Sequence, residues 1–371
     1  QSETSNSKHI PINNFCITTS DSSNQCTTCH VPFSRQDESF DFNVAENIDC
    51  LVCHDTTGEY KKFPTGAGLP VSEPKEFPVG SGTIWNPPDL ANIAQNVGLT
   101  SRQTCGSCHF FGGGGDEVKH GDLDSSLNDP SFELDVHMSA DGQDFTCTTC
   151  HVTENHQTVG SRYSMDPEEW KGCETCHTEA PHPLALLNQH AQRVACQTCH
   201  IPSYAKAAVG TEVARDWQDP HPSDSACNGR GGWLPREDKG GLGSTSLIPS
   251  YTWFDGTSEV MYLGESLDYV PTVPLDPAIA AKFVGGYVGG EPAYPLGMPN
   301  GNVASSTAKL YPMKQHWGKL ARNDDTNTLV GHSTFEFFRT GSFCRAVAVG
   351  LGVDEPNAAT SKVCDGTPGD L

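Results

Sequence analysis

Three stretches carry the clearest pattern of apolar and polar positions. In "HPLALLNQHAQRVACQTCH", Leu184, Leu187 and Val194 recur near helical spacing behind Pro183, which suits a first turn. A helix is predicted to start there. "DPEEWKGCETCH" offers Asp166 as N-cap, Pro167 at the first helical position and two glutamates in the first turn. It predicts a short helix carrying Cys173, Cys176 and His177. "YTWFDGTSEVMYLGESLDYV" reads as a hairpin: an aromatic run, a D-G turn and a mixed apolar strand. No apolar run approaches the length of a membrane span, and no secretory leader is recognisable. The polar start "QSETSNSKHI" reads as that of an exported, already processed chain.

Composition changes this picture in one respect. The chain has 371 residues, room for two ordinary domains, yet only 36% are apolar. Something other than side chains is expected to fill the interior. The 37 glycines and 26 prolines predict many loops. The net charge of −23 argues against nucleic acid and anionic membranes; it suits either solubility after export or attraction of cationic partners.

The chemistry lies in a repeat. C-x-x-C-H occurs at Cys26–His30, Cys50–His54, Cys105–His109, Cys147–His151, Cys173–His177 and Cys196–His200. Random placement at this composition gives on the order of 0.03 such motifs per chain, which excludes accident. Residues i, i+3 and i+4 share a helix face, so two thiols and one imidazole reach a single porphyrin. The motif is the attachment signature of c-type haem. Zinc sites need a second ligand pair and no histidine after each second cysteine, and a redox dithiol would occur once. Six covalent haems c are expected. Cys26, Cys29, Cys50, Cys53, Cys105, Cys108, Cys147, Cys150, Cys173, Cys176, Cys196 and Cys199 would anchor them. His30, His54, His109, His151, His177 and His200 would bind iron from one side.

The opposite axial position separates an electron carrier from a reactive centre. His137, His156, His182 and His190 lie within the motif-dense segment and are expected to ligate haems of neighbouring motifs, with His120 a weaker candidate. Met138 is assigned to packing beside His137. Five histidines cannot close six irons. The sixth iron is left to His9, His221, His316, His332, a lysine (Lys119, Lys61 or Lys62), a histidine of another copy, or no protein ligand at all.

"NNFCI", "CTTCH", "DCLVCHDTTGEYKK", "CGSCHFFGGGGDEVKHGDLD", "DVHM", "CTTCHVTENH" and "VACQTCHIP" together resemble the octahaem cytochromes c typified by tetrathionate reductase, as does "KLYPMKQHWGK". The resemblance implies a haem-packed fold with little sheet and mostly bis-histidine haems. It also implies one lysine-ligated reducing haem, carried here onto Lys119 with Cys16 nearby. Six motifs stand where the family has eight, so both end haems are expected to be missing.

The fold expected is a multihaem cytochrome c, mostly irregular with short α-helices and little β beyond one hairpin. Residues 1–200 would form the hexahaem core, and residues 201–371 a haem-free, loop-rich covering. Cys344 and Cys364 are expected to pair; Cys16 and Cys227 are a second candidate pair. The function favoured is electron transport along packed haems, extracellular or at the cell surface, otherwise periplasmic. Copies would join head to tail into a conductive filament, His9 reaching the next subunit, with redox cytochromes or extracellular acceptors as partners. Kept beside it are a reductase of small sulfur or nitrogen oxyanions at Lys119 and Cys16, and a soluble periplasmic shuttle.

Overall fold

The computed structural model describes positions 12, 31, 41, 43–63, 68–77, 82–110, 116, 123–158, 172–206, 210–222, 233–240, 246–269, 272, 293–356 and 358–364. Its motif-bearing half holds short helices: α1 (Leu51–His54), α2 (Leu90–Gln95), α3 (Arg102–His109), α4 (Cys147–Cys150), α5 (Cys173–His177), α6 (Ala185–His190) and α7 (Cys196–His200). Helices this short are unstable alone, so tertiary contacts must hold them. Only α3 has a full local start signal, a capping box between Ser101 and Thr104. Two-residue strand pairs fill some gaps: β1 (Lys75–Glu76) with β2 (Ile84–Trp85), and β3 (Thr153–Glu154) with β4 (Gln157–Thr158).

Both expected helices form, α6 behind Pro183 and α5 carrying Cys173, Cys176 and His177, but each is short. The helix behind Pro183 stops at His190, and α7 begins anew at Cys196 after an extended Ala195. The break has a tertiary cause. Val194 bridges Leu310, and the Ala195 N–H donates to the Leu310 carbonyl at 3.0 Å. Likewise α5 starts at Cys173 itself, behind an extended Gly172; Asp166 and Pro167 lie outside the described residues.

The other half contains more sheet than its sequence suggests. β5 (Thr211–Pro222) pairs antiparallel with β6 (Trp233–Gly240). The expected hairpin does not form. β7 (Ser250–Phe254) and β8 (Ser258–Val260) flank the D-G turn but diverge. β8 pairs with β9 (Gly297–Pro299), and β7 with β10 (Lys309–Met313). β11 (Trp317–Lys319) then adds in parallel to β5. Helices α8 (Thr334–Thr340) and α9 (Phe343–Gly350) follow. Trp217, Phe337, Phe343 and Ala346 form a buried cluster with Leu320, Ala321, Phe338 and Val347 against it. Gly341 ends α8 at φ 67°, and the Trp233 ring lies 2.3 Å from where a Cβ would stand. The Cys344–Cys364 disulfide is present as expected.

Buried charge accompanies this core. Arg215 grips Glu212 through Nε and Nη2 at 2.9 and 2.8 Å, and His316 Nε2 lies 2.7 Å from the same carboxylate. Burial pushes the Glu212 pKa up, but the His316 hydrogen bond and Arg215 outweigh it and the net shift is down.

His332 is fully buried between Trp217 (ring centroids 4.6 Å apart) and Phe343 (5.2 Å), with neither ring nitrogen hydrogen-bonded. Burial, then the Arg215 charge, lowers its pKa from 6.5 to about 3. As pH falls, the unfolded chain therefore gains this proton first. The associated stability is complete above pH 6.5 and is lost as pH falls toward about 3. The slope is up to about 1.4 kcal/mol per pH unit. Denaturant unfolding of wild type and His332→Phe at about pH 7 and pH 4.5 checks this, the variant showing the flatter pH dependence.

Candidate haem sites

α1 is the best-framed motif. The Asp49 carboxylate accepts from the Leu51 N–H at 3.2 Å, starting the turn that carries Cys53 and His54. The His54 Nδ1–H donates to the Gly98 carbonyl at 2.8 Å, and the Gly98 N–H returns a bond to the His54 carbonyl at 2.9 Å. That fixes the tautomer and leaves Nε2 bare for a metal. Facing His54 is His156, ring centroids 6.2 Å apart at 73°. His156 sits at the tip of the β3–β4 hairpin, where Asn155 and His156 have φ of 50° and 63°. Such two-residue turns favour Asn followed by Gly; a histidine in the glycine place is strained backbone serving a side chain.

Two further pairs repeat this geometry. His200, ending α7, lies 5.9 Å from His182 with the rings at 18°. Asn188 locks His182. Its Oδ1 accepts from the His182 N–H (2.9 Å) and Nδ1–H (3.2 Å), while its Nδ2 donates to the His182 carbonyl (2.8 Å). His177, ending α5, lies 6.2 Å from His137 at 65°. The Asp135 carboxylate accepts from the His137 and Met138 N–H groups at 2.8 and 2.9 Å, and Phe145 stacks on the His137 ring at 6.0 Å.

A metal–imidazole bond of about 2 Å on each face, plus roughly 1 Å from nitrogen to ring centre, sets two axial rings roughly 6 Å apart. The three pairs stand at 5.9–6.2 Å, and each joins one motif histidine to one outside the motifs. The donor sets fit haem.

The thiols draw motifs together. A hydrogen bond from Cys105 pulls the Cys147 thiol down to about 7, with Arg102 assisting, and the same bond raises Cys105. Burial, then Cys108, raises Cys53; burial, then Cys196, raises Cys173. Attachment points of the second and third, third and fourth, and fifth and sixth motifs are therefore neighbours.

The haem-free half walls the last two motifs. Thr198 Oγ1 donates to the Leu310 carbonyl (2.8 Å), Gln197 Nε2 to the Tyr311 hydroxyl (3.1 Å), and Lys309 pairs with Glu174 (3.3 Å). Arg193 lies 4.8 Å over the Trp253 ring and donates to the Ser305 and Val303 carbonyls. Burial, then Cys173 and Cys196, raises the Tyr311 pKa, placing its hydroxyl beside both thiols. Asn188, Gly98, Asp135 and Tyr311 were not singled out in the sequence. Asn155, next to His156 between polar strands, was the one readable signal.

Other candidates fall elsewhere. Lys62 is buried, 3.7 Å from Asp49, which also accepts from the Tyr60 hydroxyl at 2.5 Å. Lys61 is exposed. His316 is held by Glu212, His332 is enclosed by aromatic rings, and His221 lies at the exposed end of β5. His190 ends α6, exposed, and His109 and His151 close their motifs. Cys26, Cys29, His30, Cys16, His9, Lys119, His120 and Cys227 lie outside the described residues.

Three family models match: cytochrome c554 and c-prime over residues 2–55, cytochrome c7 and related cytochrome c over 130–201, and bacterial cytochrome c over 236–362. An uncharacterised protein of Archaeoglobus fulgidus is 28% identical over 165 residues, 42% of this chain. The chain spans 53% of that relative. The crystal structure of an octahaem cytochrome c from Shewanella oneidensis superposes with a TM-score of 0.68 at 33% identity, covering 94% of this chain and 71% of that one. The chain belongs to the octahaem cytochrome c family. It is a multihaem c-type cytochrome, an electron-transfer protein with covalent haem c and a mostly irregular fold of short helices and small sheets. Among the described residues, no helix is long and apolar enough to cross a membrane.

Proposed function

We propose that the chain is a hexahaem electron carrier whose irons are closed by protein on both faces. Covalent haem supplies reversible one-electron exchange at iron. The side chains do the rest. The twelve motif cysteines anchor, and His54 with His156, His177 with His137, and His200 with His182 form axial pairs. His30, His109 and His151 serve the other three sites, drawing partners from His9, His120 and His190. The carrying observation is the set of three imidazole pairs at 5.9–6.2 Å, with Nδ1 of His54 and of His182 hydrogen-bonded so that their Nε2 atoms are left for a metal. Intact mass of the holoprotein is expected to show six haem additions, and the reduced protein is expected to ignore carbon monoxide. Fewer additions, or carbon monoxide binding to most haems, would contradict the reading.

The finer reading is an exported carrier, extracellular or at the cell surface, whose copies join head to tail with His9 reaching the next subunit. It rests on the motif count, six motifs standing where the octahaem family has eight. Electron microscopy of native material is expected to show uniform filaments; discrete particles would return the chain to a periplasmic shuttle.

A further inference from the structure

Arg102, the first residue of α3, reaches out of its own helix. Its Nη1 donates to the Met138 carbonyl, and its Nη2 lies 2.5 Å from the Asp144 carboxylate. Met138 follows His137. Asp144 precedes Phe145, whose ring stacks on His137 and whose N–H donates to the His137 carbonyl at 2.9 Å. The guanidinium fork therefore holds both ends of the turn that presents His137. The turn has no slack: the Ser139 N–H donates to Asp135 at 3.1 Å and the Asp144 N–H to Ser139 at 3.0 Å. A Cβ on Gly142 would stand 2.0 Å from the Val136 carbonyl oxygen. Arg102 is 16% exposed, whereas Asp144 is 64% exposed.

We propose that Arg102 is a positioning residue that holds the His137 imidazole at axial distance from His177, tying the helix of the third motif to the iron site of the fifth. This rests on His137 being the distal ligand at that site. A planar fork can grip a carbonyl and a carboxylate together, whereas a lysine offers one point charge. One side chain thus links the helix of the third motif to the site of the fifth, and a disturbance there should be read at a haem attached elsewhere in the sequence.

Carbon monoxide binding to the reduced holoprotein tests this, with haem content measured on each variant. His137→Ala is expected to open one haem equivalent, which tests the ligand reading alone. Arg102→Ala is expected to raise the rate of carbon monoxide entry at that same haem roughly tenfold or more, equivalent to losing one charge-assisted hydrogen bond. Arg102→Lys should rescue this only in part. Asp144→Asn, at an exposed position whose left-handed backbone asparagine tolerates, should move the rate in the same direction by less. If Arg102→Ala loses haem, Asp144→Asn decides: a faster rate supports the proposal and a wild-type rate overturns it. If His137→Ala opens a haem while Arg102→Ala and Asp144→Asn match wild type, the positioning claim fails and the ligand reading stands. If His137→Ala opens nothing, both fail.

Discussion

His156→Ala is expected to convert the haem of the second motif from six-coordinate low-spin to five-coordinate high-spin. The effect is all-or-none at one site, because no partial contact substitutes for a missing metal bond. His156 is the hairpin residue that faces His54, whose own Nδ1 is committed to Gly98. Removing the imidazole leaves His54 in place with its tautomer intact, so haem stays attached at Cys50 and Cys53. One haem equivalent is expected to bind carbon monoxide, and a high-spin signal should appear in the resonance spectrum of the oxidised protein. His156→Gly separates ligation from folding: glycine accepts the positive φ of 63° without strain, so the hairpin is kept while the ligand is lost. Both variants should give the same spectrum. His221→Ala, at the exposed end of β5, should change nothing. A His156→Ala spectrum identical to wild type would remove this pair from the account.

The chain made without haem attachment keeps its C-terminal core and loses the rest. Among the described residues between 43 and 206 the buried apolar side chains are few: Val71, Ile93, Phe110, Leu134, Ala195 and Ala205. Their neighbours include apolar residues facing outward, such as Leu184 at 58% exposure, Leu186 at 53% and Leu187 at 42%. Helices of four to eight residues cannot stand without a surface to pack on. Haem is that surface, in keeping with the 36% apolar content. Beyond residue 210, Trp217, Phe337, Phe343 and Ala346 form a core of protein atoms, stapled by Cys344–Cys364. Limited proteolysis of haem-free chain should therefore erase the motif half early and leave a disulfide-bonded C-terminal fragment. Equal resistance of both halves would show that the motif half folds on its own side chains.

The chemistry of this protein was legible because it depends on local spacing. Each C-x-x-C-H fits one helical turn, and α3, α5 and α7 each carry a whole motif. His137, His156 and His182 stood out in the sequence as candidate distal ligands, and each ring stands opposite a motif histidine. Which iron each serves was not. His156 faces His54 from a hairpin far along the chain, a pairing set by tertiary contacts such as His54 with Gly98. β5 was missed for a different reason. "TEVARDWQDPHP" shows no apolar alternation because the strand is buried on both faces with Glu212, Arg215 and Asp216 inside, and Glu212 and Arg215 pair with each other. The hairpin failed because its D-G turn is real while its strands find stronger partners. Trp253 and Phe254 register against Leu310 and Lys309, the segment that also holds α7.

The most direct test is an experimental density map of the haem-loaded protein that locates each iron. Iron is expected between His54 and His156, between His177 and His137, and between His200 and His182, with each ring bound through Nε2. Iron bound by the motif histidines but capped by different partners, or left open opposite them, would contradict the axial pairs and with them the reading of a closed electron carrier.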